Sequence, residues 1–203
     1  WYDPQNVLVC QSNTSISNVR RRNGNIFQFP GEDTSFIDCQ EPLLNDVSIF
    51  TAAAWVFPLA LQAENIDPDG HSQNESVILH QTNGGDGNFG LTTTQNKSVC
   101  FIDVGTPLMV YGDPLVVNRW NNLACVYNGS VLQLYLDGNL QSEITATGAL
   151  SSTNNHFRIG GGPWKYQKSP NNYRYNWDGA IGAVGLLLAN LVIGRLRRKD
   201  RAA

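Results

Sequence analysis

Arg119-Trp120-Asn121-Asn122-Leu123-Ala124-Cys125-Val126-Tyr127-Asn128-Gly129-Ser130-Val131-Leu132-Gln133-Leu134-Tyr135-Leu136-Asp137-Gly138 is the stretch whose reading decides the fold. It reads as two β-strands joined at Asn128-Gly129 and closed at Asp137-Gly138. Both are residue pairs that tolerate the positive φ angles of tight hairpin turns. Leu132, Leu134 and Leu136 fall on one face, Gln133 and Tyr135 on the other. A period of two is the mark of a half-buried strand. The hairpin is scaffold and carries no catalytic chemistry.

Working outward, the same signals recur. Phe27 to Ile37 reads as strand, Pro30-Gly31 turn and strand. Asp46 to Phe57 is a long strand run stopped by Pro58, and residues 59–75 form a polar loop. Ser76 to Gln81, Asn88 to Thr93, Ser98 to Asp103 and Pro107 to Tyr111 are short strands between Gly and Asn clusters. Leu140 to Thr147 and His156 to Gly160 follow the hairpin, then a long loop from Gly161 to Trp177 and a last apolar run. Many short strands with regular turns and no useful helix imply an all-β fold, a two-sheet antiparallel jelly-roll sandwich. A chain of 203 residues is enough for one such core. The divisions expected are an N-terminal arm over 1–25 with one strand near Val7-Leu8-Val9, a sandwich over 26–194, and a basic tail over 195–203.

Charged residues make up only 15% of the chain, and its net charge is −3. The segment from Arg195 to Arg201 alone carries +4, which leaves the remainder near −7. An acidic body argues against nucleic acid as a partner. The uncharged run Gly179 to Gly194 is 16 residues, short of the roughly 20 a helix needs to span a bilayer. A last strand is expected there, and no membrane span. Four cysteines, Cys10, Cys39, Cys100 and Cys125, form no C-x-x-C pair and suit two disulfides in an oxidising compartment. Of three possible pairings, Cys10–Cys39 and Cys100–Cys125 are favoured because each joins neighbouring predicted strands. Buried free thiols are the alternative. Glycosylation sequons stand at Asn13, Asn74, Asn96 and Asn128, and the last lies in the hairpin turn.

Several segments then resemble a known family. Phe29-Pro30-Gly31-Glu32-Asp33-Thr34-Ser35-Phe36-Ile37 resembles the opening strand pair of the laminin-G-like branch of the concanavalin A-like lectin/glucanase superfamily. Phe50 to Pro58 resembles its F-T-x-x-A-W-V-x-P strand, and Trp120 to Gly138 its hairpin. Phe157 to Gly161 and Trp177-Asp178-Gly179-Ala180-Ile181 resemble two later motifs, so the likeness covers about residues 27–192. The Trp120–Cys125 piece is also similar to pentraxins. The resemblance implies a curved jelly roll that binds glycans, proteins or matrix, often with one calcium ion at the sheet rim. Asp33 and Asp178 are the rim candidates it implies. The family's acidic pair after this last motif is replaced here by Gly182-Ala183, which removes charge from the final strand.

The chemistry of the residues points away from an enzyme. Retaining glycosidases need two carboxyls about 5 Å apart, and no run of acids at alternating strand positions exists. Glu32 and Asp33 are adjacent and face opposite ways in a strand. His71, His80 and His156 are unclustered, and no triad order appears. Asn65-x-Asp67-x-Asp69-Gly70 has the oxygen spacing that opens a calcium loop, although Ser76 stands where the bidentate acid belongs. A solvated turn is the plainer reading of that segment. The loop to Trp177 holds Trp164, Tyr166, Asn172, Tyr173 and Arg174, aromatic and polar groups suited to sugars or to a protein interface. Trp177 itself reads as filling the sandwich edge. The expected function is non-catalytic extracellular recognition or adhesion through this loop, with a glycan or extracellular protein as partner. The alternatives are a structural subunit of an extracellular assembly, self-associating through its termini, and a calcium-dependent lectin.

Overall fold

The computed structural model describes residues 10–12, 16–21, 24–31, 35–61, 75–83, 86–94, 97–162 and 177–188. Every regular element among them is a strand. In chain order these are β1 (Gln11–Ser12), β2 (Ser17–Arg21), β3 (Gly24–Pro30), β4 (Ile37–Asp38), β5 (Phe50–Pro58), β6 (Glu75–Asn83), β7 (Asp86–Thr94), β8 (Lys97–Asp103), β9 (Pro107–Gly112), β10 (Asn121–Tyr127), β11 (Val131–Leu136), β12 (Asn139–Thr145), β13 (Arg158–Ile159) and β14 (Asp178–Leu188). They form two antiparallel sheets. The front sheet has the order β1-β4-β13-β6-β7-β8-β9, and the back sheet β12-β11-β10-β5-β14-β3-β2. The non-sequential order is that of a jelly-roll sandwich.

Alternation along each strand builds the core. In β5, Phe50, Ala52, Ala54 and Val56 are buried while Trp55 stands out to solvent. In β10, Leu123, Cys125 and Tyr127 face inward and lie opposite Leu136, Leu134 and Leu132 of β11. From the front sheet, Phe89, Leu91, Cys100 and Ile102 meet them. Phe50 packs edge-on against Phe89 at 5.5 Å, and Phe89 stacks on Phe157 at 6.1 Å. Both geometries suit the ring quadrupole. Trp177 is fully buried, as expected, and its indole N–H has no partner among the described residues.

The hairpin turn differs in detail from the sequence reading. Gly129 has a positive φ of 86° and Asn128 does not. Asn128 instead turns its carboxamide oxygen inward, where it accepts the N–H groups of Ser130 and Val131 at 2.9 and 2.8 Å. That is an Asx turn, which satisfies the same backbone groups by a side-chain route. At the far end Asp137 and Gly138 both take positive φ, as a type I′ turn demands.

Both disulfides are paired as expected, Cys10–Cys39 and Cys100–Cys125. The first closes the end of the β1–β4 ladder, its cysteines one residue outside each of these neighbouring strands. The second does not follow the neighbouring-strand rationale: β8 and β10 belong to opposite sheets. Both sulfurs sit at inward positions, so the bond crosses the core and pins the front sheet to the back. The final strand also needs correcting. It is buried from Gly179 to Gly182, and a register shift before Gly185 then brings Ala183 to Gly185 into solvent. Leu187 is 53% exposed. Among the described residues no helix is long and apolar enough to cross a membrane. Val7-Leu8-Val9, Asn13 and the tail lie outside the described residues, while β1 and β2, from the expected arm, are edge strands of the two sheets.

The flank formed by β9 and β12 is closed by side chains. Ser142 Oγ donates to the Tyr111 carbonyl at 2.6 Å, and the Asp113 N–H donates to Gln141 Oε1 at 3.0 Å. These bonds occupy edge groups that a bare strand presents to other chains.

Removing the cross-core disulfide by Cys100→Ala with Cys125→Ala should cost about 3–4 kcal/mol, the loop-closure value for a bond of this sequence separation. Urea unfolding of the wild type and the double variant, both under oxidising conditions that keep Cys10–Cys39 closed, measures it. Equal midpoints for the two would mean that the pair does not constrain the unfolded chain.

Candidate functional site

Most residues singled out from the sequence lie outside the described residues. They are Trp164, Tyr166, Asn172, Tyr173 and Arg174 of the aromatic loop, Asn65, Asp67 and Asp69 of the calcium-like turn, Asp33, and the sequons at Asn74 and Asn96. Asp178 is placed at the start of β14, half-buried beside the Gly31 turn. Among the described residues no three His, Cys, Asp or Glu groups are gathered to hold a metal ion. Of the two rim candidates, Asp178 is the one among the described residues.

The structure brings together a different set, on the outer face of the front sheet. A groove of about 440 Å³ runs over β7, β8 and β9. Strand alternation dictates its lining. Phe89 and Leu91 point into the core, so Gly90 and Thr92 point out; Cys100 and Ile102 point in, so Phe101 and Asp103 point out. Directly opposed residues share a face, and the ladder sets them in rows. Gly90 lies opposite Phe101, and Phe101 opposite Met109; Thr92 lies opposite Val99, and Val99 opposite Tyr111. Thr94 and Lys97 form a further row at one end, Asp103 and Pro107 at the other. Successive rows are two residues apart, so the groove is about 20 Å long.

Its chemistry is mixed. Met109 and Tyr111 are each nearly half exposed and form an apolar strip with Phe101. The Lys97 ammonium lies 6.0 Å from the Tyr111 ring centre, at the outer limit of a cation–π contact. The Thr92 and Thr94 hydroxyls have no hydrogen bond among the described residues. Asp103 is anchored through Oδ1, which accepts from the Gly105 N–H at 2.7 Å and the Ser151 hydroxyl at 3.2 Å. Oδ2 has no partner among the described residues and can accept from a ligand. A legible sequence signal preceded this site. Phe101, Met109 and Tyr111 fall at the outward phase of their strands, where solvent would favour polar side chains.

The sheet continues past the groove as a polar row. His80 lies opposite Gly90, Arg158 opposite His80, and Asp38 opposite Arg158. Asp38 Oδ2 accepts from Arg158 Nε at 3.0 Å, and Oδ1 pairs with His156 Nδ1 at 2.9 Å and accepts the Gln40 N–H at 2.7 Å. Burial alone would raise the Asp38 carboxyl, but the Gln40 N–H and the Arg158 guanidinium outweigh it and hold it below its usual value. His80 is fully buried, and its Nε2 lies 2.7 Å from the Gly161 carbonyl. A carbonyl only accepts, so Nε2 carries the proton and Nδ1 is left to accept from the Thr82 N–H at 3.4 Å. Burial, reinforced by Arg158 against the opposing pull of the Gly161 carbonyl, depresses His80 to about 4. The neutral ring is thus enclosed, adjoining Gly90 in the ladder, while Thr82 is the β6 residue that lines the groove.

Comparisons agree with this architecture. The Laminin_G_3 family model, described as the concanavalin A-like lectin/glucanases superfamily, matches residues 31–186. The binding domain of botulinum neurotoxin serotype G superposes with a TM-score of 0.64 at 14% identity, covering 95% of this chain and 46% of the toxin chain. Domain 4 of AbnA, an extracellular GH43 arabinanase from Geobacillus stearothermophilus solved with arabinotriose, gives 0.61 at 13% identity, over 89% of this chain and 81% of that one. Domains LG4-5 of the mouse laminin alpha1 chain give 0.59 at 15%, over 88% and 44%. The chain therefore spans less than half of the toxin and laminin structures. At these identities the likeness is one of fold. No curated protein matches the chain in sequence.

His80 sets an acid limit on stability. The unfolded chain takes up a proton near pH 6.5 that the folded chain refuses until about pH 4. Stability is complete above the upper value and declines by up to about 3 kcal/mol as pH falls through the window. Below pH 3.8 the lowered Asp38 carboxyl adds a further loss. Denaturant midpoints from pH 7 to 4 should fall for the wild type and hold nearly level for His80→Gln; parallel curves for the two would rule His80 out as the source.

Proposed function

The chain belongs to the Laminin_G_3 family of the concanavalin A-like lectin/glucanases superfamily, and on that premise we propose that it is a non-catalytic extracellular recognition module whose front-sheet groove binds glycan. The observation that carries this reading is the groove's lining. Sugars present C–H faces and rings of hydroxyls. The Phe101–Met109–Tyr111 strip matches the first, and Thr92, Thr94 and the free Asp103 oxygen match the second. A volume of about 440 Å³ lies in the range of small-ligand sites. The same lining supports a binding role over hydrolysis: Asp103 is the one carboxylate among its described residues, and glycosidases of either stereochemistry employ a pair. Two disulfides fit an oxidising, extracellular setting.

The neighbours support the reading in kind. One is a toxin's binding domain and another was solved with arabinotriose. The aromatic loop from Trp164 to Arg174 is a second surface from which binding could arise, so the experiment separates the two. Wild type, Tyr111→Ala and Trp164→Ala with Tyr173→Ala are applied to a printed array of neutral and acidic oligosaccharides. Tyr111 is 47% exposed, so its truncation should leave the melting temperature nearly unchanged. It should weaken glycan binding about tenfold, some 1.4 kcal/mol. Full retention in Tyr111→Ala with loss in the loop variant would move the site out of the groove.

A further inference from the structure

Glycine in the interior of a strand is unfavourable, because it surrenders more backbone entropy than other residues and packs no side chain. Where it persists, a backbone twist, a tight contact or a close-lying ligand accounts for it. Several glycines of this chain fall under the first two causes. A Cβ on Gly87 would run into Thr82, one on Gly160 into the Phe29 ring, and one on Gly179 into the Phe57 carbonyl. Gly160 and Gly179 also take positive φ.

Gly90 falls under neither. It stands in the middle of β7, between β6 and β8, and its φ is not positive. A Cβ there would meet Thr92 Cγ2 at 3.6 Å and Phe101 Cβ and Cδ1 at 3.8 Å, ordinary contact distances. The fold has room for a side chain at this position and does not have one. Gly185 is similarly unconstrained, but it follows the irregularity in β14, on the back sheet and away from the groove. Among the described residues Gly90 alone combines the missing constraint with a place in the groove lining. Its row runs from the enclosed His80 through Gly90 to Phe101 and Met109, so that Gly90 is a recessed, buried position beside the apolar strip.

We infer that Gly90 is the floor of a sugar-ring subsite, an inference that rests on the glycan reading of the groove. A furanose or pyranose ring lies on the β7 backbone with its C–H face toward Phe101 and Met109. Its hydroxyls reach the Thr92 hydroxyl and Asp103 Oδ2. A side chain at position 90 occupies the volume of the ring while leaving the sheet intact, so position 90 sets which ligands enter.

The test uses the full chain, the same oligosaccharide array, and titration calorimetry with the array's strongest-binding oligosaccharide. Gly90→Val and Gly90→Ala are compared with wild type. Valine favours strands, so both variants should melt at or above the wild-type temperature. Affinity should fall at least tenfold for Val and by a smaller factor for Ala. If wild type binds and both variants stay within twofold of it, the subsite is wrong while the glycan reading stands. An array on which wild type gives no signal overturns both. Should Gly90→Val fail to fold, Gly90→Ala decides alone, with undiminished affinity as the overturning result.

Discussion

Alternation is the constraint on which this molecule depends. A strand sends successive side chains to opposite faces, and two sheets packed face to face can dry only one face of each. Phe50, Phe89, Leu123, Leu132 and the Cys100–Cys125 bond therefore meet in one apolar layer. By the same geometry the residues between them are turned outward. Phe101 is in the groove because Cys100 and Ile102 are in the core. The candidate site is thus the other face of the packing that holds the sandwich together, and changing the phase of one strand would exchange core for groove.

Much of the fold was legible in the sequence because alternation is a local signal. The Leu132–Leu134–Leu136 stripe and the β5 run announced their strands, and the Cys10–Cys39 pairing followed from the strands beside it. What was not legible depended on which strands lie across the core. Cys100 and Cys125 read as partners in neighbouring strands because sequence neighbours usually pair, yet their contact is made through the sandwich. The bulge in β14 was also hidden: the run from Gly179 is uniformly apolar, and hydropathy alone does not register that Ala183 adopts a φ of 46° and turns the later residues out.

The groove was legible residue by residue and not as a site. Thr92, Phe101, Met109 and Tyr111 come from three strands, and their meeting is a property of register between β7, β8 and β9. The sequence drew attention to the aromatic loop before Trp177 because its aromatic residues are close together in the chain. A sheet-borne site has no such density. Its traces are subtler: apolar residues at outward positions, and a mid-strand glycine that the backbone does not require. His80 is the converse case. It reads as an isolated histidine, and only the strand order shows that it shares a row with Arg158 and Asp38 and must remain neutral.

The flank where β9 meets β12 has a consequence for how the groove can be used. Tyr111 contributes its side chain to the groove and its carbonyl to the bond with Ser142. Backbone and side chain of one residue thus divide two tasks, sealing the margin and offering a contact surface. The margin is stitched by side-chain bonds, Ser142 to the Tyr111 carbonyl and the Asp113 N–H to Gln141, rather than by a further ladder. Seam and groove therefore share one residue, and a change that displaces the Tyr111 backbone displaces the groove lining with it.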